Sequence, residues 1–247
     1  MPELNDTHYQ RMYDTYWMHP DVQIFQKSQT TNQIRWLFED PSGFMEAAFG
    51  IPTAIVSEEY IKAANIAVAF TTLQHKSAMA ETPHLNPFSP PRNPLIGYNE
   101  SPISIDLAFV CNGEHETGKS IWLFLILIWR LQCGLPTGYA SSSETWFFFN
   151  QEGVTKGPLY SVILLDYRRL SDRLGNNHWF LVDTTEGCYE RDMPMKLAWT
   201  GFYLVQVTSQ TKMGWTRWMY KSKPEVFIHT MKSFHANMRG APAQNQK

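Results

Sequence analysis

Eight consecutive residues, Gly113-Glu114-His115-Glu116-Thr117-Gly118-Lys119-Ser120, satisfy G-x-x-x-x-G-K-[ST]. By composition alone a chain of this make-up would contain the pattern about once in 200 cases. The glycines let the chain turn tightly, so that successive backbone N–H groups and the positive end of the following helix converge on a phosphate. Gly113, Glu116, Thr117, Gly118, Lys119 and Ser120 are therefore the phosphate-binding candidates. Lys119 would bridge the β- and γ-phosphates, and the Ser120 hydroxyl would supply an oxygen ligand to Mg²⁺. Glu114 and Glu116 oppose this, because carboxylates in the cradle repel an anion unless they point away.

Such a site needs a second metal-side group, an aspartate at the end of an apolar strand. Asp183, closing His178-Trp179-Phe180-Leu181-Val182-Asp183, is the first candidate, and Asp166, closing Val162-Ile163-Leu164-Leu165-Asp166, is the second. A group to orient or deprotonate water commonly follows that aspartate as a glutamate. Thr184 stands there instead; Glu186 joins Lys119 as a catalytic candidate and Glu152 is a further substitute, with a solvated surface carboxylate as the ordinary role of both glutamates. Ser209, in Thr208-Ser209-Gln210, could read the γ-phosphate at the carboxyl edge of a sheet, where ligands of open α/β sheets bind. Arg168, Arg169 and Arg217 are free to complete the site in cis, in trans or not at all.

The elements that must position these residues are legible as short apolar runs between turn signals. Strands are expected over Ile103–Cys111, Thr145–Asn150, Tyr160–Asp166, His178–Asp183 and Gly201–Thr208, several of them apolar on both faces as buried parallel strands are. A helix apolar nearly all round is expected from Lys119 to Cys133, stopped by Gly134 and Pro136. A second helix is expected over 57–75, entered through Ser57 with Glu58 and Glu59 in its first turn. Five prolines in Thr82–Pro94 exclude helix and central strand there. The expected division is an extension over 1–95, with this linker at 82–94, and a core over 96–247. The first 45 residues show no clean periodicity and are expected either to dock on the core or to lack order. The fold class expected is α/β, a three-layer P-loop NTPase-type with a mostly parallel sheet.

Composition narrows the remaining choices. Of 247 residues, 43% are hydrophobic and only 18% charged, which excludes disorder as the overall state. The longest strongly apolar run, Ile121–Trp129, is far shorter than the roughly 20 residues of a membrane-spanning helix. No signal or transit pattern opens the chain, so an intracellular protein, cytoplasmic or nuclear, is expected. Three cysteines without a Cys-x-x-Cys pair argue against a disulfide framework or a zinc site. Residues 191–247 hold 9 basic and 2 acidic side chains. Within them Lys212, Arg217, Lys221 and Lys223 interleave with Trp215, Trp218 and Tyr220. That strip either meets phosphates of a nucleotide or nucleic acid, or neutralises the acidic remainder and covers the sheet.

In their order, GEHETGKS, LFLILIWRLQCGLPT, WFFFNQEGV, WFLVDTT and FYLVQVTSQTKMGWTRWMYK resemble the P-loop NTPase domain of the fungal and oomycete Crinkler and retrotransposon-hot-spot-like proteins. Ile51-Pro52 and Glu59-Tyr60 look like the "ReEY" helix that often precedes that domain. The similarity covers roughly residues 45–235 in motif order, with only the P-loop highly specific. It implies an ATP-binding domain of the additional-strand P-loop class, with Lys119 and Ser120 at the phosphates and Mg²⁺ and with Asp183 as the metal-side aspartate. The loop departs from the usual family pattern in being richer in acid and poorer in glycine, and no nuclease-type constellation of the kind found in related proteins is visible. The expectation is thus Mg²⁺-dependent binding of ATP with slow hydrolysis or a switching role. The alternative is a degenerate P-loop scaffold that binds protein or nucleic-acid partners.

Overall fold

The computed structural model describes residues 5–30, 33–71, 86, 88–98, 107–114, 117–140, 145–158, 178–184, 202–209 and 225–232. Two sheets and four helices make up these residues. Helix α1 (Asp6–Tyr16) opens with a capping box, in which the Asn5 side chain accepts from the His8 N–H and the His8 ring accepts from the Asn5 N–H. Strands β1 (Phe25–Thr30), β2 (Gln33–Glu39) and β3 (Thr53–Ile55) form an antiparallel sheet in the order β1-β2-β3. Helix α2 (Phe44–Phe49) lies between β2 and β3, and α3 (Glu58–Thr71) follows them.

The remaining strands are β4 (Leu107–Gly113), β5 (Thr137–Ala140), β6 (Thr145–Asn150), β7 (Gly153–Pro158), β8 (Trp179–Asp183), β9 (Tyr203–Ser209) and β10 (Glu225–Met231). They form a mixed seven-stranded sheet in the order β10-β4-β9-β8-β5-β6-β7. From β10 to β5 all neighbours are parallel, while β5, β6 and β7 pair antiparallel. The chain is thus mixed α/β.

Helix α4 (Lys119–Gln132) leaves the end of β4 and explains its own composition. A helix apolar on all sides must be covered on all sides. One side of α4 meets the large sheet, with Trp122 near Phe109 and Arg130 over Trp179. The other meets the N-terminal elements: Phe124 stacks on Phe44 at 4.9 Å, and Phe25 stands edge-on to Trp129. Helix α3 covers the same face of the sheet beside α4, where Phe70 contacts Tyr203 and Phe227 and the Tyr203 hydroxyl donates to the Ala67 carbonyl. Residues of the opposite sheet face, among them Ala108, Val110, Phe180, Val182 and Leu204, are buried as well. This two-sided burial is why β4, β8 and β9 read as continuous apolar runs.

Several expectations meet the structure directly. The strand over Thr145–Asn150 has those bounds, and β8 and β9 differ from expectation by one or two residues at an end. The strand expected from Ile103 begins at Leu107 among the described residues, which resume there. Helix α3 begins at Glu58, with Ser57 Oγ accepting from the Tyr60 N–H; residues 72–75 lie outside the described residues. Phe88–Tyr98 forms neither helix nor strand, as its prolines require, and is tied to α4 through Asn93, whose amide donates to the Trp129 carbonyl. The strand expected over Tyr160–Asp166 also lies outside the described residues.

Other elements went unrecognised. The N-terminal part was expected to lack clean periodicity, yet β2 carries alternation in Ile34, Trp36 and Phe38. Its length conceals the pattern, and β1 adds one apolar residue, Phe25. Strand β5 is four residues long and follows the α4 stop directly. Strand β7 is an exposed edge carrying Lys156 and Pro158, with none of the apolar run of an interior strand. Strand β10 lies in the basic C-terminal stretch, and its apolar run is only the three residues Val226-Phe227-Ile228.

Candidate functional site

Every position of β4 except Asn112 is buried, and the chain leaves the sheet at Gly113. In the ladder Gly113 lies between Ser209 of β9 and Met231 of β10. A Cβ at Gly113 would stand 2.7 Å from the Met231 carbonyl oxygen and 3.0 Å from Thr117 Oγ1, so the turn admits glycine alone. Gly118 ends the loop in a left-handed conformation, φ +76°, and serves as the N-cap of α4 without a side chain to cap the first turn. The positive end of α4 therefore faces the loop.

Lys119 folds back over this turn. Its ammonium donates to the Gly113 carbonyl at 3.1 Å, the Glu114 carbonyl at 2.5 Å and Thr117 Oγ1 at 3.0 Å, which uses all three of its protons. The Thr117 hydroxyl in turn donates to the Glu114 carbonyl at 3.1 Å. Lys119 is only 4% exposed. Burial lowers its pKa below the ordinary lysine value, and the Asp183 carboxylate opposes that shift. A phosphate oxygen arriving at the loop would replace one of these acceptors with an ionised one, which strengthens the hydrogen bond.

Asp183 ends β8 opposite Val207 of β9 and is 8% exposed. Strand β9 separates it from β4, so its carboxylate acts on Lys119 across one intervening strand. Gly113, Thr117, Gly118, Lys119, Ser120, Asp183 and Ser209 are thus gathered at the carboxyl edge of β4, β9 and β8. Ser120 is half-buried in the first turn of α4. The Ser120 hydroxyl and the Asp183 carboxylate are hard oxygen donors of the kind Mg²⁺ takes alongside phosphate and water. Among the described residues no group of three or more His, Cys, Asp or Glu could hold a metal by itself.

The opposing carboxylate at Glu114 is exposed and contributes its carbonyl to the loop. Glu116, Glu186, Asp166, Arg168, Arg169, Arg217 and the strip over 212–223 lie outside the described residues. Glu152 occupies the exposed turn between β6 and β7. The pairing of Thr137 with Phe149 puts that turn at the amino edge of the parallel strands, away from the loop. Four strand spacings also part β6 from β4, about 19 Å. Glu152 does not reach the loop.

Two neighbours of the loop were not assigned to it from sequence. Tyr60 of α3 packs on Gly118: a Cβ there would overlap its hydroxyl. Beside it, Glu59 Oε2 lies 3.5 Å from His229 Nε2 on β10. Burial raises the pKa of both Tyr60 and Cys111 and lowers that of His229, so phenol, thiol and imidazole are all held toward their neutral forms. In the sequence the Glu59-Tyr60 pair stands out only by its resemblance to a family helix, since nothing local links it to Gly118.

Among the described residues no helix is long and apolar enough to cross a membrane. Comparison of the chain with protein-family models, with curated proteins and with solved structures found no match.

Proposed function

We propose that this chain is a P-loop NTPase-type protein that binds a nucleoside triphosphate, ATP first, together with Mg²⁺. The observation that carries the proposal is Lys119: a buried ammonium held on the carbonyls of Gly113 and Glu114, at the uncapped end of α4, with Asp183 set across β9. A buried lysine facing loop carbonyls and a helix N-terminus has little reason to be retained in a merely structural turn, where its desolvation is a cost. In a polyanion site that same charge is what binds the ligand.

The strand order supports the same conclusion. Among the five parallel strands of the described residues, taken in chain order, the sequence across the sheet is fifth, first, fourth, third, second. The loop follows the first, the aspartate ends the third, and the fourth is inserted between them, as the name of the additional-strand class describes. Within this proposal Ser120 and Asp183 hold Mg²⁺, Lys119 bridges phosphates and Ser209 faces the γ-phosphate.

Calorimetric titration with MgATP and MgGTP, with Lys119→Ala beside the wild type, tests this. Micromolar binding that the variant loses is the expected result. No heat with either nucleotide would overturn it.

A specific observation favours binding over rapid turnover. Thr184, at the position after Asp183, is buried and hydrogen-bonded within the sheet. A nucleotide-dependent switch or scaffold with slow hydrolysis therefore suits the site better than a fast ATPase.

A further inference from the structure

We infer that Tyr60, which lies outside the phosphate loop, is a positioning residue for it: its hydroxyl bears on Gly118 and holds the first turn of α4 in the conformation that receives a polyphosphate. The inference rests on the phosphate-binding role proposed for the loop.

The contact is close. Beyond the hydroxyl, which a Cβ at Gly118 would overlap, ring atoms Cζ and Cε1 would stand 3.0 and 3.5 Å from that Cβ. Gly118 is at φ +76°, a conformation costly to other residues, and the phenol occupies the volume their side chain would need. The backbone that carries the ring is held on both sides. The Tyr60 carbonyl accepts from Trp122 Nε1 of α4 at 3.0 Å, and its N–H is capped by Ser57 Oγ at 3.3 Å. Helices α3 and α4 are therefore joined one turn below the loop as well as at it.

The other end of the loop is stopped in the same way. Gly113 abuts the Met231 carbonyl of β10. Glu59, adjacent to Tyr60, faces His229, two residues before Met231. The two structures that bear on the two glycines are thus tied to one another. A loop held at both glycines keeps its N–H groups aimed at the ligand, so less conformational entropy is lost when phosphate binds. Without the phenol oxygen Gly118 regains room to move, although the ring still fills the core.

The test compares wild type with Tyr60→Phe in calorimetric titrations with MgATP and with Mg-tripolyphosphate, using Lys119→Ala as the control. The expected result is an affinity about tenfold weaker for both ligands. The ligand-free melting temperature should stay within about 2 °C of wild type. A second measurement reads the contact itself. In protein labelled with 3-fluorotyrosine, the ¹⁹F resonance missing from Tyr60→Phe should shift in the wild type on saturation with Mg-tripolyphosphate. Wild-type affinity in Tyr60→Phe, or a resonance that does not move at saturation, would overturn the role of Tyr60 and leave the nucleotide proposal standing. So would an affinity loss that only follows a fall in melting temperature. Failure of the wild type itself to bind either ligand would overturn the phosphate-binding proposal and this inference with it.

Discussion

The hydroxyl of Thr184 donates to the carbonyl of Val207 at 2.8 Å, while accepting from Gln206 Nε2 at 3.0 Å. The residue after Asp183 is thereby committed to β9 and offers no base to water. Hydrolysis of MgATP should accordingly run at least about a hundredfold below the enzyme median of roughly 10 s⁻¹. Thr184→Val should cost about 1–2 kcal/mol in urea denaturation, because Gln206 loses its acceptor, and should leave that slow rate within about twofold. A tenfold fall in rate would assign Thr184 a chemical role instead.

His229 gives the fold a dependence on pH. It is buried on β10 against Phe109, with Glu59 facing it and Lys62 near enough to add a like charge. Burial outweighs Glu59 and lowers its pKa from 6.5. A histidine depressed in the folded state binds fewer protons there than when unfolded, so its contribution is intact above about pH 6.5 and is lost as pH falls through the folded value. Urea melts at pH 7.5, 6.5 and 5.5 should show stability declining toward acid by up to about 1.4 kcal/mol per pH unit from this group. In His229→Gln the decline should be shallower by that amount. An identical slope in both proteins would remove His229 as its source.

Arg130 closes α4 from within the core. It is completely buried, its Nε donates to Thr137 Oγ1 at 2.8 Å, its Nη2 donates to the Pro136 carbonyl at 2.9 Å, and its guanidinium lies 4.6 Å from the Trp179 ring centre. Arg130→Ala should destabilise by about 3–5 kcal/mol through lost packing and orphaned acceptors. Arg130→Lys should recover less than half, since an ammonium cannot lie flat on the indole and reach both oxygens. Equal stability of the lysine variant and wild type, measured by chemical denaturation, would show that charge alone matters there.

Asp40 organises the N-terminal layer. One carboxylate oxygen accepts from the Tyr16 hydroxyl at 2.6 Å, the Ser42 hydroxyl at 2.5 Å and the Ser42 N–H at 3.0 Å, and the other accepts from the Met45 N–H at 2.6 Å. Asparagine supplies one acceptor oxygen where two are used and turns a donor toward a donor. Asp40→Asn should therefore cost about 2–3 kcal/mol while leaving MgATP affinity within about twofold. A large affinity loss at unchanged stability would instead connect α1 and α2 to the loop.

Features set by neighbours along the chain were legible, and those set by packing across it were not. The pattern from Gly113 to Ser120, on which the proposed phosphate loop rests, lies within eight positions, and Asp183 stands where expected, at the end of an apolar strand. The contact of Tyr60 with Gly118, and of Glu59 with His229, depends on how α3 and β10 pack beside β4. No local pattern encodes that packing. Strand β10 is faint in the sequence because an edge strand half exposed to solvent, with Glu225, Ile228 and Thr230 exposed, lacks the continuous apolar run of β8 and β9. Helix α4 was legible as a helix, but the second sheet, whose Phe25 and Phe38 meet Trp129 and Phe124 on its other side, was not.

The order of strands also governs when the loop can come into being. Strand β4 leaves the ribosome long before either of its neighbours, because β9 and β10 come last in chain order among the described strands of the sheet. During synthesis the apolar segment Leu107–Gly113 must wait without a partner on either side, and the carbonyl that stops Gly113 belongs to the last residue of β10. Such distant pairings make for slow assembly and a long interval of exposed strand edges, the circumstances in which nascent chains aggregate or require a chaperone. A chain cut before Glu225 would leave β4 permanently at an edge, so premature termination late in translation would yield an insoluble product rather than a shortened working one.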